Sequence, residues 1–368
     1  MIICCGEVLI DMIPTALPNK KNAYLPLPGG SSYNAAIAIG RLGAPVSFLG
    51  KFSNDFFGET LLKRLIANKV KDNLIIRSEL NTTLAFVKLE KGKEPEFSFY
   101  TEGTAERSLS IEDLPKSLPE QTSCICFGSI AMTMEPLAST IETLILRENA
   151  LQVQGKVSPV ISFDPNIRPF MIKDKNAYLN RMEKWIGAST ITKISAEDFK
   201  FIFPGLEPEK ALHKTLTMGP RLAIGTLGPK GALALLRRND GSLTRVEAPA
   251  VNLPVLDTIG AGDTLHGAFL AWLQLKGKMS RQSLAALSEQ ELYDALLFAN
   301  KAASLVCSRQ GAEPPSYREV ISLKVPAKAF GGSKKSSSKA AGQGKKTLAK
   351  KPAAKKPALT KKPAKKKK

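Results

Sequence analysis

The stretch LDTIGAGDTLHGAFLAWL, Leu256 to Leu273, sets three small residues, Gly260, Ala261 and Gly262, ahead of one acid, Asp263. Downstream, Leu265, Ala268, Phe269, Trp272 and Leu273 recur at helical spacing, and Gly277 follows closely enough to stop the helix. Upstream, RVEAPAV (245–251) reads as a short strand. The glycines are therefore expected at a strand-to-helix turn, where the first N–H groups of the helix lack intrahelical partners and form a place where anions bind. An acid would repel the same anion. Asp263 must either cap the helix or act on a proton.

Working outward, short apolar runs alternate with helical patterns. PVSFLGKF precedes FGETLLKRLIANKV, SCICFGSI precedes PLASTIETLILREN, PVISFDPN precedes NAYLNRMEKWIGA, and ASTITKIS precedes AEDFKFIF. MIICCGEVLI reads as one strand, SYNAAIAIGRLG as a helix ending at Gly43, and RLAIGTLG and GALALLRR as further strands. This rhythm predicts an α/β fold with a mostly parallel sheet covered by helices. Residues 11–28 and 82–101 break the rhythm, and they are expected to form a small β sheet standing off the main domain as a lid.

The chain has 368 residues, 43% of them hydrophobic, enough for one large α/β domain. Its net charge of +20 is unevenly placed: residues 327–368 hold 16 lysines and no acid, which leaves about +4 on residues 1–326. The expected organisation is a catalytic body over 1–326 and a basic tail over 327–368. Cys4, Cys5, Cys124, Cys126 and Cys307 include no C-x-x-C pair, so buried reduced thiols and a cytoplasmic location are expected. With only His213 and His266 present, a histidine-built metal site or triad is disfavoured. MIICCGEVLI lacks the basic start of a signal peptide, and no run approaches the ~18 apolar residues of a membrane helix.

No G-x-x-x-x-G-K-[ST] occurs, and G-x-G-x-x-G fails because position 265 is Leu. A third arrangement remains. The N–H groups of Gly260, Ala261, Gly262 and Asp263 would form an anion hole, with Asp263 taking a proton from a hydroxyl that attacks a phosphoryl group. DTIGAGDTLHGAFL resembles the C-terminal signature of the ribokinase-like (PfkB) carbohydrate kinases. GGSSYNAAIAIGRLGAPVSFLGKFSNDFFG, with Gly29, Gly30, Asn34 and Gly58, resembles their N-terminal one. The resemblance covers about residues 2–322. It implies a three-layer α/β/α fold, ATP as phosphoryl donor, Mg²⁺ on the phosphates, Asp263 as catalytic base and Gly260–Gly262 as the anion hole. It places Asp11, Gly29, Gly30, Asn34, Phe99 and Arg168 at the sugar. Thr226, Gly228 and Gly231 of GTLGPKGA, together with Ser195, Asp198 and Asn300, are placed at the nucleotide. Asp257 and the Ser308–Ala312 loop would host a K⁺-like monovalent ion. Two departures stand out: Ser195-Ala-Glu-Asp198 replaces the usual Asn-x-x-Glu, and Ser32 replaces the small apolar residue or proline of GGxPxN.

EFSFYTEGTAERSL, FDPNIRP and ANKAASLVCSRQGAEPP look like bacterial fructokinases. A 2-dehydro-3-deoxygluconate kinase, the alternative, carries an arginine after the tyrosine of FYR to pair with its acidic substrate. Thr101 stands there instead, and Arg107 lies six residues on. Fructose is therefore the first expectation. A homodimer is compatible with the resemblance. KKPA recurs at Lys350–Ala353, Lys355–Ala358 and Lys361–Ala364. So polar a tail is expected to be disordered, as either a silent extension or a non-specific nucleic-acid binder. The latter raises a reading from another class, a nucleic-acid-associated protein with a secondary kinase domain, against which the intact GAGD argues.

Overall fold

The computed structural model describes residues 1–16, 22–88 and 96–325. The chain starts on β1 (Ile2–Cys5), β2 (Leu9–Ala16) and β3 (Asn22–Gly29), then α1 (Ser31–Arg41), β4 (Val46–Ser53), α2 (Phe56–Ala67) and β5 (Val70–Ser78). There follow β6 (Leu84–Lys88), β7 (Glu96–Tyr100), β8 (Cys124–Gly128), α3 (Leu137–Val153), β9 (Val160–Asp164) and α4 (Lys175–Ala188). Next are β10 (Ile191–Ser195), α5 (Ala196–Ile202), α6 (Pro208–Thr217), β11 (Leu222–Thr226), β12 (Ala232–Arg237) and β13 (Leu243–Ala248). The last elements are α7 (Ala261–Leu275), α8 (Arg281–Ala285), α9 (Glu289–Cys307) and α10 (Tyr317–Ser322).

Nine strands form one sheet in the order β13-β12-β11-β10-β9-β8-β1-β4-β5. The seven from β11 to β5 are parallel, and β12 and β13 close one edge antiparallel. Such a sheet must be covered on both faces, which explains why its strands read as nearly continuous apolar runs. On β1, Ile2 and Cys4 join the core beneath α1, α7 and α9, whereas Ile3 and Cys5 join the core beneath α3 and α4. The expected three layers result. Four cysteines are buried on this central pair of strands and all five are free thiols, as expected.

The off-rhythm segments do form a separate four-stranded sheet, β3-β2-β6-β7. Asp11 on β2 sits opposite Ala85 on β6, and Ala85 opposite Phe99 on β7, so the three share one face. The described fold lies within one compact unit, Met1–Val325. Residues 17–21 and 89–95 of the expected lid, and the whole basic tail, lie outside the described residues.

Three expectations need correcting. MIICCGEVLI is two strands in two different sheets, broken at Gly6, where a Cβ would lie 2.2 Å from Ser32 Oγ. Strand β5 and helix α6 are additional to the alternation read from sequence. RVEAPAV does not run straight into the glycine turn: β13 ends at Ala248 and an irregular stretch reaches Gly260 before α7 begins.

Candidate active site

The carboxyl ends of β1, β8, β9, β10 and β11 open onto one crevice, the usual ligand position in an open parallel sheet. Helix α7 points its N-terminus there. Its N-cap is Gly260, in the left-handed region at φ 73°, and no side chain caps it. A Cβ at Gly260 would stand 2.7 Å from that of Ala312, so the turn suits glycine twice over. No side chain competes for the first-turn amides where the anion site is expected of Gly260, Ala261 and Gly262, although Ala261 N–H already reaches the Thr258 carbonyl at 3.3 Å.

Asp263 is not the cap. It is buried at 8% exposure, and its carboxylate turns toward α1. Oδ1 accepts the Ser31 hydroxyl at 2.7 Å, Oδ2 accepts Asn34 Nδ2 at 2.9 Å, and Asn166 Nδ2 approaches Oδ1 at 3.4 Å. Burial pushes Asp263 above the ordinary carboxylate range, with the Asp164 charge adding to the rise; the Ser31 and Asn34 donors and Lys193 oppose it. A carboxylate made more basic yet kept oriented is what proton abstraction from a hydroxyl requires.

The residues expected at the sugar gather beside it. The Asp11 carboxylate lies over Gly29, where a Cβ would be 2.0 Å from Oδ2. Burial pushes Asp11 up to about 7, Asp263 adding to the rise and Arg168 opposing it. Gly30, at φ 109°, is the N-cap of α1. Phe99 stacks on Phe97 and on Phe170, with ring centroids 6.1 and 5.9 Å apart. Arg168 Nη1 donates to Asn166 Oδ1 at 2.9 Å, so Asn166 joins Arg168 to Asp263. Asn166 holds φ 37°, a left-handed conformation that asparagine tolerates better than most side chains.

Beside the start of α7 lies a cleft of about 920 Å³ that also takes in Asn166 and Arg168 and whose lining includes all six residues expected at the nucleotide: Ser195, Asp198, Thr226, Gly228, Gly231 and Asn300. Three have structural duties as well. Ser195 and Asp198 form the capping box of α5, and Asp198 also accepts Ile167 N–H at 2.8 Å. Asn300 Nδ2 donates to the carbonyls of Ala248 and Pro249, leaving only its oxygen uncommitted. Gly231 (φ 91°) passes so close to Ala248 that a Cβ would be 2.2 Å from the carbonyl oxygen. Asp257 accepts Ile259 N–H at 3.0 Å and Gly311 N–H at 2.9 Å, tying the Ser308–Ala312 loop to the approach of α7.

Sequence reasoning passed over several members of the site. Lys193, 3% exposed, pairs with Asp164 at 2.8 Å, and its Nζ lies 3.2 Å from where a Gly262 Cβ would be. Burial alone would lower the Lys193 ammonium, but Asp164 and Asp198 outweigh it and hold it above its ordinary value. The signal was a lone charge inside the apolar strand ITKIS. His266, one turn from Asp263, is enclosed by Ser162 Oγ at 2.7 Å and Cys126 Sγ at 3.7 Å and does not reach the cleft lining. Among the described residues, no group of three or more His, Cys, Asp or Glu could hold a metal ion, and no helix is long and apolar enough to cross a membrane.

The chain and its fold have counterparts among known proteins. The sequence model for pfkB family carbohydrate kinases matches residues 1–318. A fructokinase of Rhizobium leguminosarum bv. trifolii is 38% identical over 293 residues, covering 79% of this chain and 85% of that protein. A crystal structure of fructokinase with bound ATP from Xylella fastidiosa superimposes with a TM-score of 0.77 at 27% identity, covering 87% of this chain and 97% of the other. A fructokinase from Vibrio cholerae O395, in a fructose, ADP and calcium ion bound form, gives a TM-score of 0.72 at 26% identity over 87% and 97%.

Proposed function

We propose, for a chain that belongs to the PfkB family of carbohydrate kinases, that the reaction is transfer of the γ-phosphoryl group of ATP to a hydroxymethyl oxygen of fructose. The Asp263 carboxylate takes the hydroxyl proton, the freed oxygen attacks the γ-phosphorus, and the bond to the bridging oxygen of ADP breaks. The amides of the Gly260–Gly262 turn face the transferring phosphoryl group, and Lys193 beneath them adds positive charge. The observation that carries this reading is the buried Asp263, held by Ser31 and Asn34 at the uncapped end of α7.

The 920 Å³ cleft suits a nucleotide in size, and its lining mixes Val251, Leu253 and Val255 with polar groups. A divalent ion, Mg²⁺ in the cell, would neutralise the phosphates and be carried mainly by them, since the described residues offer no cluster of their own. Asp257 with the 308–312 loop is the proposed K⁺ position.

Fructose is favoured over an acidic sugar by the surroundings of Thr101. Arg107 Nη1 does come within 3.1 Å of Thr101 Oγ1, but it is paired with Glu102 at 2.5 Å, and Arg107 Nε donates to the Glu135 carbonyl. Arg107 would have to leave these partners to meet a carboxylate. The test is purified protein with ATP and Mg²⁺ against fructose, 2-dehydro-3-deoxygluconate, ribose and adenosine. A higher kcat/KM for the keto acid would overturn the substrate; activity on none would overturn the reaction.

The further partners are part of the same proposal. The small sheet exposes Tyr24 and Tyr100 around a T-shaped Tyr24–Phe86–Tyr100 group, an aromatic face suited to a second copy. The lysine-rich tail would bind nucleic acid without sequence preference. The free thiols fit a reducing, cytoplasmic location.

A further inference from the structure

The turn between β1 and β2 carries an acid that the reaction above leaves unused. Glu7 is 1% exposed, and its Oε1 accepts Ser31 N–H at 2.8 Å. Its Oε2 is buried and makes no close hydrogen bond, with the Ser129 hydroxyl the side-chain donor facing the carboxyl. An apolar side chain would fill that space with no unpaired oxygen, so the retained carboxyl asks for a role. The same turn grips α1 at two more points. Ser32 Oγ donates to the Cys5 carbonyl at 3.0 Å, and a Cβ on Gly30 would be 2.6 Å from the Glu7 carbonyl oxygen. From the gripped turn, Ser31 and Asn34 reach forward to the two oxygens of Asp263.

We infer that Glu7 is a positioning residue: by accepting Ser31 N–H it sets the first turn of α1 so that Ser31 Oγ and Asn34 Nδ2 meet the Asp263 carboxylate and keep it ionised and aimed. The inference rests on Asp263 being the base. The acceptor oxygen does this, rather than the charge. Burial pushes Glu7 up to about 7, opposed by its own N–H, by Ser31 N–H and by the Ser129 hydroxyl, with the Asp263 charge adding slightly to the rise. Glu106, itself buried and pushed up to about 7, is the other acid facing Glu7. Around Asp263 the remaining charged groups are Asp11, Asp164 and Lys193.

Three variants separate acceptor, charge and bulk. Glu7→Gln keeps an acceptor oxygen and loses the charge; Glu7→Asp keeps the charge but falls one methylene short; Glu7→Met fills the space with neither. Glu7→Gln should stay within about threefold of wild-type kcat, with the acid limb of the pH profile unmoved or slightly lowered. Glu7→Asp and Glu7→Met should lose kcat by roughly 10- to 100-fold with sugar KM little changed. Their acid limb should move to higher pH, because a carboxylate losing donors becomes harder to ionise. The inference is overturned if Glu7→Gln falls as far as Glu7→Asp, or if Glu7→Asp keeps the wild-type limb. Should Glu7→Met fail to fold, the other two decide. Asp263→Asn is measured alongside: if it retains turnover, the base assignment fails, whereas an inactive Asp263→Asn with unaltered Glu7 variants removes only the role of Glu7.

Discussion

Replacing Asp263 by Asn removes a proton acceptor and almost nothing else. The side chains have the same shape, and the site can keep both of its close hydrogen bonds. The new Oδ1 accepts from Asn34 Nδ2, and the Ser31 hydroxyl, now 2.7 Å from a carboxylate oxygen, turns to accept from the new amide. Loss of a general base lowers turnover by ~100- to ~10,000-fold, about 3 to 5 kcal/mol on the barrier. Stability should respond in the opposite sense. Burial raises the Asp263 carboxyl in the folded chain, so the folded state holds its proton more tightly than the unfolded state. The charged carboxylate therefore costs stability as pH rises past the ordinary carboxylate range, and the Asn variant is free of that cost. Its Tm should equal or exceed wild type at pH 8, and the difference should shrink toward pH 4. The assay is ADP release and sugar phosphate formation at saturating fructose, with thermal melts at both pH values. A folded variant within tenfold of wild-type turnover would refute the base. Lost turnover with a clearly lowered Tm at pH 8 would point to a damaged site instead.

Asp11, held up at about 7, must ionise before it can accept two sugar hydroxyls. The fructose KM should therefore fall as pH rises from about 6 to about 8, and Asp11→Asn should raise KM and flatten the dependence; a flat wild-type KM would contradict this. Gly260→Ala places a Cβ 2.7 Å from that of Ala312 at φ 73°. It should cost at least about 1 kcal/mol of stability and lower kcat by displacing the anion site, so an unchanged Tm and kcat would count against the tight turn. Lys193→Met strands Asp164 in the core and should destabilise by roughly 3 kcal/mol, whereas the Lys193→Met/Asp164→Leu pair should recover much of that in thermal melts while remaining slow. A chain ending at Pro326 should keep its kinase activity and lose any DNA binding. For the full chain that binding should weaken steeply between two salt concentrations. Loss of activity on truncation would place the tail in the catalytic unit.

The parts of this molecule that could be read in advance are those whose signal is local. The spacing within Leu265–Leu273 defined α7 without reference to any neighbour, and the GAGD glycines marked their own turn. The failures share one cause, a partner distant in sequence. MIICCGEVLI carries no internal sign of its break, because the break depends on Ser32 packing over Gly6. Lys193 lies inside an apolar strand, Asp164 at the end of one and Glu7 in the turn after one. Each looks like an interruption until parallel pairing of β1, β8, β9 and β10 sets the strands side by side. Ser195 and Asp198, expected at the nucleotide, line the cleft and also form the capping box of α5, a role the Ser-x-x-Asp spacing carries locally. The geometry suggests why the site concentrates here. A parallel sheet leaves the carboxyl ends of its strands unpaired at one rim, where α1 and α7 also present their N-termini. Polar side chains buried at that rim can be held by backbone donors that no ladder uses. Glu7 draws on this through Ser31 N–H, and Asp198 through the N–H groups of Ile167 and Ser195, while Asp263 is held by the side chains of Ser31 and Asn34. Five acids, Glu7, Asp11, Glu106, Asp198 and Asp263, are all raised by burial, so the fold sacrifices stability at neutral pH where the proton must be taken.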